Sequence, residues 1–293
     1  MEGDDMGTMD STVDEVDPVM REPGPAGAGR TDPAPRSQAI EVDDVSVKYS
    51  SRRKAETHVL DRVRFSVRPS EFLAIVGPSG CGKSTLLKVV AGLIPPSAGG
   101  ITFGAGQTYR DQRIGFLFQA DALLPWKTAA DNVSVAFRLG TGDQGRAHER
   151  SVELMTHLGL EGAADKYPHQ LSGGMRKRVA LARTLAYNPT VFLLDEPFGA
   201  LDAQTRVTVG NFFLQILEES KQTVLFVTHD IEEAVTLADR ILVLSAGPAS
   251  SVVREFRIDT PRPRDYYESR FFPGSAELQR EIWASLRTAE EAE

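Results

Sequence analysis

The segment Gly77-Pro78-Ser79-Gly80-Cys81-Gly82-Lys83-Ser84 constrains this chain more than any other. It follows the wholly apolar run Phe72-Leu73-Ala74-Ile75-Val76 and precedes a helical pattern from Lys83 to Ala91, stopped by Gly92 and Pro95-Pro96. An apolar run without alternation predicts a strand covered on both faces. Strand, glycine turn and helix in that order make a phosphate cradle. The glycines let successive N–H groups turn toward one oxyanion, and the helix start adds its positive end. In a G-x-x-x-x-G-K-[ST] loop, Lys83 reaches the β- and γ-phosphates of a nucleotide and the Ser84 hydroxyl serves as a Mg²⁺ ligand. Cys81 lies one residue before Gly82. A helix start favours its thiolate, although a small filler residue is the plainer reading.

The remaining pattern surrounds this loop with an α/β chain. Val45, Val47 and Tyr49 alternate with polar residues, as do Val63, Phe65 and Val67, whereas Ser51 to Thr57 reads as a polar, hairpin-like loop. Further strands are expected at Ile114 to Phe118, Val191 to Leu194, Val224 to Val227 and Ile241 to Leu244, with helices between them, which predicts parallel βαβ wiring. Residues 121–188 read as an all-helical insertion broken at Gly140-Thr141-Gly142 and at Gly159 to Gly162. The expected organisation is a leader over 1–37, a core over 38–262 and a helical C-terminal extension over 263–293, the last read as packing against the core.

Residues 1–36 hold nine acids, three arginines and five prolines, and no Leu, Ile or aromatic residue. Such a stretch cannot bury enough apolar surface to offset its chain entropy and is expected to be disordered. It carries most of the net charge of −8, so the protein does not read as a basic nucleic-acid binder. The acidic start lacks an apolar secretory region, no run is long enough to span a bilayer, and one cysteine cannot form an intrachain disulfide.

Two further elements bear on chemistry. Asp195-Glu196 closes the run Val191 to Leu194, where a carboxylate at a strand's C-terminal end faces the ligand crevice of an α/β sheet. Asp195 is suited to Mg²⁺ and Glu196 to polarising a water that attacks the γ-phosphate. Leu171-Ser172-Gly173-Gly174-Met175 precedes a helix through Ala186, with Ser172 as N-cap, giving the chain a second helix start with open N–H groups.

Taken together, these segments resemble the nucleotide-binding subunits of ABC transporters. Leu171 to Met175 followed by Arg176-Lys177-Arg178-Val179-Ala180-Leu181-Ala182-Arg183 is similar to the family's signature segment, and Asp195-Glu196-Pro197-Phe198-Gly199-Ala200-Leu201-Asp202 to its Walker B motif and D-loop. Gln119 fits the Q-loop, His229 the switch histidine and Tyr49 the aromatic residue that stacks on adenine. Read by themselves, Gln119 could cap a turn, His229 could be a hydrogen-bonded structural residue, and Tyr49 could be a core or edge tyrosine. The resemblance covers Ile40 to Leu244 with the motifs in family order. Met175 departs from the commonest pattern, which has Gln there.

The resemblance implies a P-loop NTPase core of mainly parallel sheet with an N-terminal antiparallel β-subdomain and an inserted α-helical subdomain. It implies ATP hydrolysis with Mg²⁺ at a head-to-tail dimer. Each ATP is gripped by Gly77 to Thr85 of one chain and by Ser172, Gly173 and Gly174 of the other, with Asp202 nearby. Ser84, Gln119 and Asp195 serve the metal, while Glu196, His229, Gln119 and Lys83 serve the chemistry. Phe118 to Trp126, Asp131-Asn132-Val133, Met175 and the tail Pro261 to Asp265 with Glu281-Ile282-Trp283 are similar to the ATPases of nitrate, aliphatic sulfonate, taurine and bicarbonate importers. Implied partners are integral membrane permease subunits, with a substrate-binding protein acting through them, at the cytoplasmic face of the membrane. The alternatives are an importer of another small solute such as a pyrimidine precursor, or a soluble non-transport ABC ATPase. Leu123, Leu124, Pro125 and Trp126 could be core or could receive a helix of the membrane partner. Arg176-Lys177-Arg178 reads as a solvated face or internal ion pairs, without a nucleic-acid role.

Overall fold

Strands that are apolar along most of their length need cover on both faces, and they take the middle of the main sheet. The computed structural model describes residues 40–51, 54–104 and 106–291; the leader expected over 1–37 lies outside them. The elements begin with β1 (Ile40–Ser51), β2 (Lys54–Val67), β3 (Phe72–Val76), α1 (Lys83–Val90), β4 (Ala98–Phe103) and β5 (Ile114–Leu117). Three helices follow, α2 (Ala129–Thr141), α3 (Ala147–His157) and α4 (Gly173–Ala186). The chain then alternates through β6 (Val191–Asp195), α5 (Ala203–Ser220), β7 (Thr223–Val227), α6 (Ile231–Leu237) and β8 (Arg240–Leu244). β9 (Val252–Arg257) and α7 (Ser275–Glu291) complete it.

The main sheet has six strands in the order β5-β6-β7-β3-β8-β9. All its pairings are parallel except β8 with β9. Successive residues of the central strands face opposite layers. Phe72, Ala74, Phe192, Leu194, Val224 and Phe226 join a core with α2, α4, α5 and α6. Leu73, Ile75, Val191, Leu193, Leu225 and Val227 join a second core with α1 and the small antiparallel sheet β2-β1-β4. Because β3 lies between β7 and β8, the chain leaves it toward one side and later returns to the other. The loop after β3 therefore sits at the switch point where open α/β sheets bind ligands.

Three local expectations are corrected. The hairpin expected over Ser51 to Thr57 joins β1 and β2 but its loop is shorter: Ser51 pairs with Lys54 and Tyr49 with Thr57, so β2 starts inside the segment, cross-strand pairing overriding its polarity. Helix α2 runs through Gly140 and stops only at Gly142. Tyr49 does not join Val45 and Val47 in the core. They are buried, whereas Tyr49 is 45% exposed beyond a register shift between Val47 and Lys48.

Candidate functional site

The loop after β3 closes around its own lysine. Gly82 is the N-cap of α1 with φ 95 and supplies no side-chain cap, so the first N–H groups of the helix stay available to a ligand. A Cβ at Gly82 would lie 2.8 Å from Leu60 Cδ2 and 2.9 Å from Val59 Cγ1, so both the backbone angle and the space require glycine. Lys83 Nζ folds back and donates to the carbonyls of Gly77 at 2.8 Å and Pro78 at 2.7 Å. Cys81 lies beneath the loop, 1% exposed. Burial pushes its thiol pKa up despite the nearby Lys83 ammonium, which corrects the expectation of a favoured thiolate.

Two carboxylates stand at the end of β6 with different surroundings. Asp195 is buried, and its carboxyl is pushed up by that burial while a hydrogen bond with Ser84 pulls the other way. Glu196 has φ 48, a left-handed conformation that costs a residue with a side chain about 1–2 kcal/mol. Its N–H nonetheless donates to Val227 O at 2.9 Å, which anchors the strained residue to β7. One carboxylate oxygen, Oε1, lies 3.0 Å from His229 Nδ1, and the other, Oε2, accepts from Gln119 Nε2 at 3.3 Å. Residues just past the C-terminal ends of β5, β6 and β7 thus meet at one point. Strain held at such a convergence is a mark of function.

The helix after Ser172 presents a second arrangement. Ser172 caps α4, its hydroxyl accepting from Met175 N at 3.2 Å, and both Ser172 and Gly173 are exposed to solvent. Asp202 caps α5 by accepting from Thr205 N at 2.9 Å, and that bond holds its carboxyl below the usual range. Among the described residues, no hydrogen bond joins Tyr49, Ser172 or Asp202 to the Gly77–Ser84 loop of the same chain. A single chain therefore brings Lys83, Ser84, Asp195, Glu196, Gln119 and His229 together, and leaves Tyr49, Ser172, Gly173 and Asp202 exposed.

Lys177 was not singled out from the sequence. It is 3% exposed, and its Nζ donates to the carbonyls of Phe118 at 2.9 Å, Gln119 at 3.1 Å and Asp195 at 3.4 Å. Burial pushes its pKa down. It ties α4 to the two strand ends that carry Gln119 and Asp195. Arg176 reaches Asp121 at 3.1 Å, and Arg178 donates to Leu158 O at 3.0 Å. The basic triplet is thus turned largely onto the protein's own acceptors. Its only sequence signal was the unusual density of charge on the first turns of an otherwise apolar helix.

Among the described residues no group of three or more His, Cys, Asp or Glu could hold a metal ion. The Ser84 hydroxyl and the Asp195 carboxylate, hydrogen-bonded to each other, with Gln119 held against the adjacent Glu196, instead form a sparse hard-oxygen set. That fits Mg²⁺, which keeps several waters and takes further ligands from substrate phosphates.

Comparison with known proteins agrees with this geometry. The ABC transporter family profile matches residues 60–199. The chain is 40% identical over 257 residues to the taurine import ATP-binding protein TauB of Rhizobium johnstonii, covering 86% of this chain and 98% of that one. It is 42% identical over 244 residues to an aliphatic sulfonates import ATP-binding protein, SsuB 1 of Rhodococcus jostii, covering 83% and 94%. Against the nitrate import ATP-binding protein NrtC of Synechococcus elongatus the identity is 41% over 248 residues, covering 83% of this chain but 37% of that longer one. An ATP-binding cassette solved as a dimer in a post-hydrolysis state with ADP and Pi superposes with a TM-score of 0.69 at 33% identity, over 76% of this chain and all of that one. The fold and the loop define a P-loop nucleotide-binding protein. The chain belongs to the ABC transporter family, as an ATP-binding cassette of the ATP-hydrolysing kind.

Proposed function

We propose that this cassette powers import of a small oxyanion such as nitrate, an aliphatic sulfonate or taurine, working as a head-to-tail pair on the cytoplasmic face of a membrane permease fed by a substrate-binding protein. The solute class follows the relatives' names, and the pairing follows the dimeric relative and the outward-facing Ser172. Among the described residues no helix is long and apolar enough to cross a membrane. Trp126, 71% exposed on the insertion, is a contact point for them.

The observation that carries the chemistry is the meeting of Gln119, Glu196 and His229 beside the loop. Glu196 orients a water and accepts its proton as the oxygen attacks the γ-phosphorus of ATP and the bond to the β-phosphate oxygen breaks, leaving ADP and Pi. His229, already against the carboxylate, steadies Glu196 and faces the γ-phosphate. Lys83 exchanges the carbonyls of Gly77 and Pro78 for phosphate oxygens, and the open N–H groups of α1 hold the rest of the triphosphate. Mg²⁺ held by Ser84 and Asp195, with Gln119, would supply neutralisation of charge on the phosphate oxygens. Tyr49 stacks on the adenine, and Ser172, Gly173 and Gly174 of a second chain, with its Asp202 nearby, close over the γ-phosphate. The test is Glu196→Gln, which is expected to bind ATP, pair and fail to turn over. Wild-type hydrolysis by that variant would falsify the base assignment.

A further inference from the structure

The turn Thr228-His229-Asp230 is held from within the protein by a buried carboxylate that the chemistry above does not use. Glu233, in the first turn of α6, is 5% exposed, and burial pushes its carboxyl up. Its Oε2 accepts from Thr228 Oγ1 at 2.9 Å, and that same hydroxyl accepts from Asp230 N at 3.0 Å. A hydroxyl has one proton to donate. Because it goes to Glu233, the lone pairs remain for the Asp230 N–H, and the two bonds bracket His229 from both sides in sequence.

The other oxygen, Glu233 Oε1, accepts from Tyr266 Oη at 3.3 Å. Arg206 approaches it at 3.7 Å, but the Arg206 Nε makes no hydrogen bond. The phenol is therefore the one hydrogen-bond donor to that buried oxygen among the described residues, and a buried carboxylate oxygen left without one is costly.

Tyr266 comes from outside the nucleotide core, in the segment after β9. It is fully buried. Helix α5 makes room for it at Gly210, where a Cβ would lie 2.2 Å from Tyr266 Cδ2. The next residue, Asn211, accepts from Tyr266 N at 2.6 Å and donates to Asp265 Oδ2 at 2.8 Å. The ring meets Phe198, two residues past Glu196, edge-on at 5.9 Å. Two residues before Tyr266, Arg264 Nη1 donates at 2.8 Å to the carbonyl of Leu237, the last residue of α6. The segment grips α6 at both ends.

We propose that Tyr266 is a positioning residue for ATP hydrolysis: through Glu233 and Thr228 it sets the turn that presents His229 to Glu196. The inference rests on the role given to His229 above. A tail that merely packed would also bury a tyrosine, but would have no reason to place its hydroxyl on the relay behind His229.

Tyr266→Phe in the full chain keeps the ring and removes only the hydroxyl. It is expected to lower kcat roughly fivefold, the order of one hydrogen bond, with KM for ATP unchanged and Tm within a few degrees. Hydrogen exchange at the Asp230 amide should quicken. In a His229→Ala background the same substitution should make no further difference, because the two act as a unit. Thr228→Val, which cuts the relay on its other side, should reproduce the loss and serves if Tyr266→Phe folds poorly. An unchanged kcat with His229→Ala inactive overturns the proposal alone, as does a loss carried by KM or losses that multiply in the double variant. Wild-type turnover by His229→Ala by itself overturns the assignment of His229 and this proposal with it.

Discussion

Glu196 and His229 face each other across 3.0 Å at the ends of neighbouring parallel strands, the carboxylate on a left-handed residue and the imidazole on the turn into α6. Replacing His229 by Ala removes one support of the carboxylate without touching the loop that binds phosphates. ATP hydrolysis is expected to fall by roughly 10²–10⁴-fold, the range for a positioned acid–base group, with the Kd for ATP nearly unchanged. Single-turnover hydrolysis beside nucleotide titration separates the two quantities.

Tyr49 stands exposed at the end of β1 with its ring free to receive a flat partner. Tyr49→Ala is expected to raise the Kd for ATP by roughly tenfold, since stacking of a base on an aromatic ring contributes about 1–3 kcal/mol. The rate at saturating ATP should change little. An unaltered Kd by calorimetry removes Tyr49 from the nucleotide site.

Asp265 accepts the N–H groups of Tyr267 at 2.7 Å and Glu268 at 2.9 Å. The Glu268 N–H is the main cause of a carboxyl pKa below the ordinary 3.8, with burial opposing it. Folding therefore favours the ionised form. The contribution is complete above the unfolded pKa and is lost as pH falls below 3.8 through the folded one. Asp265→Ala should lower Tm at neutral pH, and the gap from wild type should shrink as pH drops below about 4. A gap constant with pH in thermal melts contradicts this account.

Trp126 is 71% exposed, and Asn132 pins the segment before it by accepting from Leu124 N at 2.8 Å. A charge at Trp126 leaves the protein's core undisturbed. Trp126→Glu should spare ATP hydrolysis by the isolated chain yet abolish solute uptake by the membrane complex. Normal uptake in reconstituted vesicles places the contact elsewhere.

The central strands were legible because burial on both faces favours unbroken apolar runs: β3 coincides with the run Phe72 to Val76, and β6, β7 and β8 each extend theirs by one polar residue at an end. The edge strands β4 and β9 carried no such signal. In β4 Ala98-Gly99-Gly100 is largely exposed, and in β9 only Phe256 is buried among charged neighbours. The G-x-x-x-x-G-K-[ST] spacing between an apolar run and a helical pattern singled out the loop after β3, but Gln119, Glu196 and His229 converge only through strand order, so their kinship rested on motif resemblance. Lys177 and Tyr266 were hidden for a common reason. Each is a polar side chain whose burial depends on acceptors distant in the chain, and no local pattern announces those.

Cys81 is the sole sulfhydryl of the chain and is sealed under the phosphate loop. Maleimides and spin labels should therefore find the native fold almost inert. A cysteine introduced at an exposed position outside the proposed nucleotide site, such as in place of Leu139, can carry a reporter without first deleting the natural one. Distances between two such reporters would then register the approach of paired cassettes on an otherwise silent background.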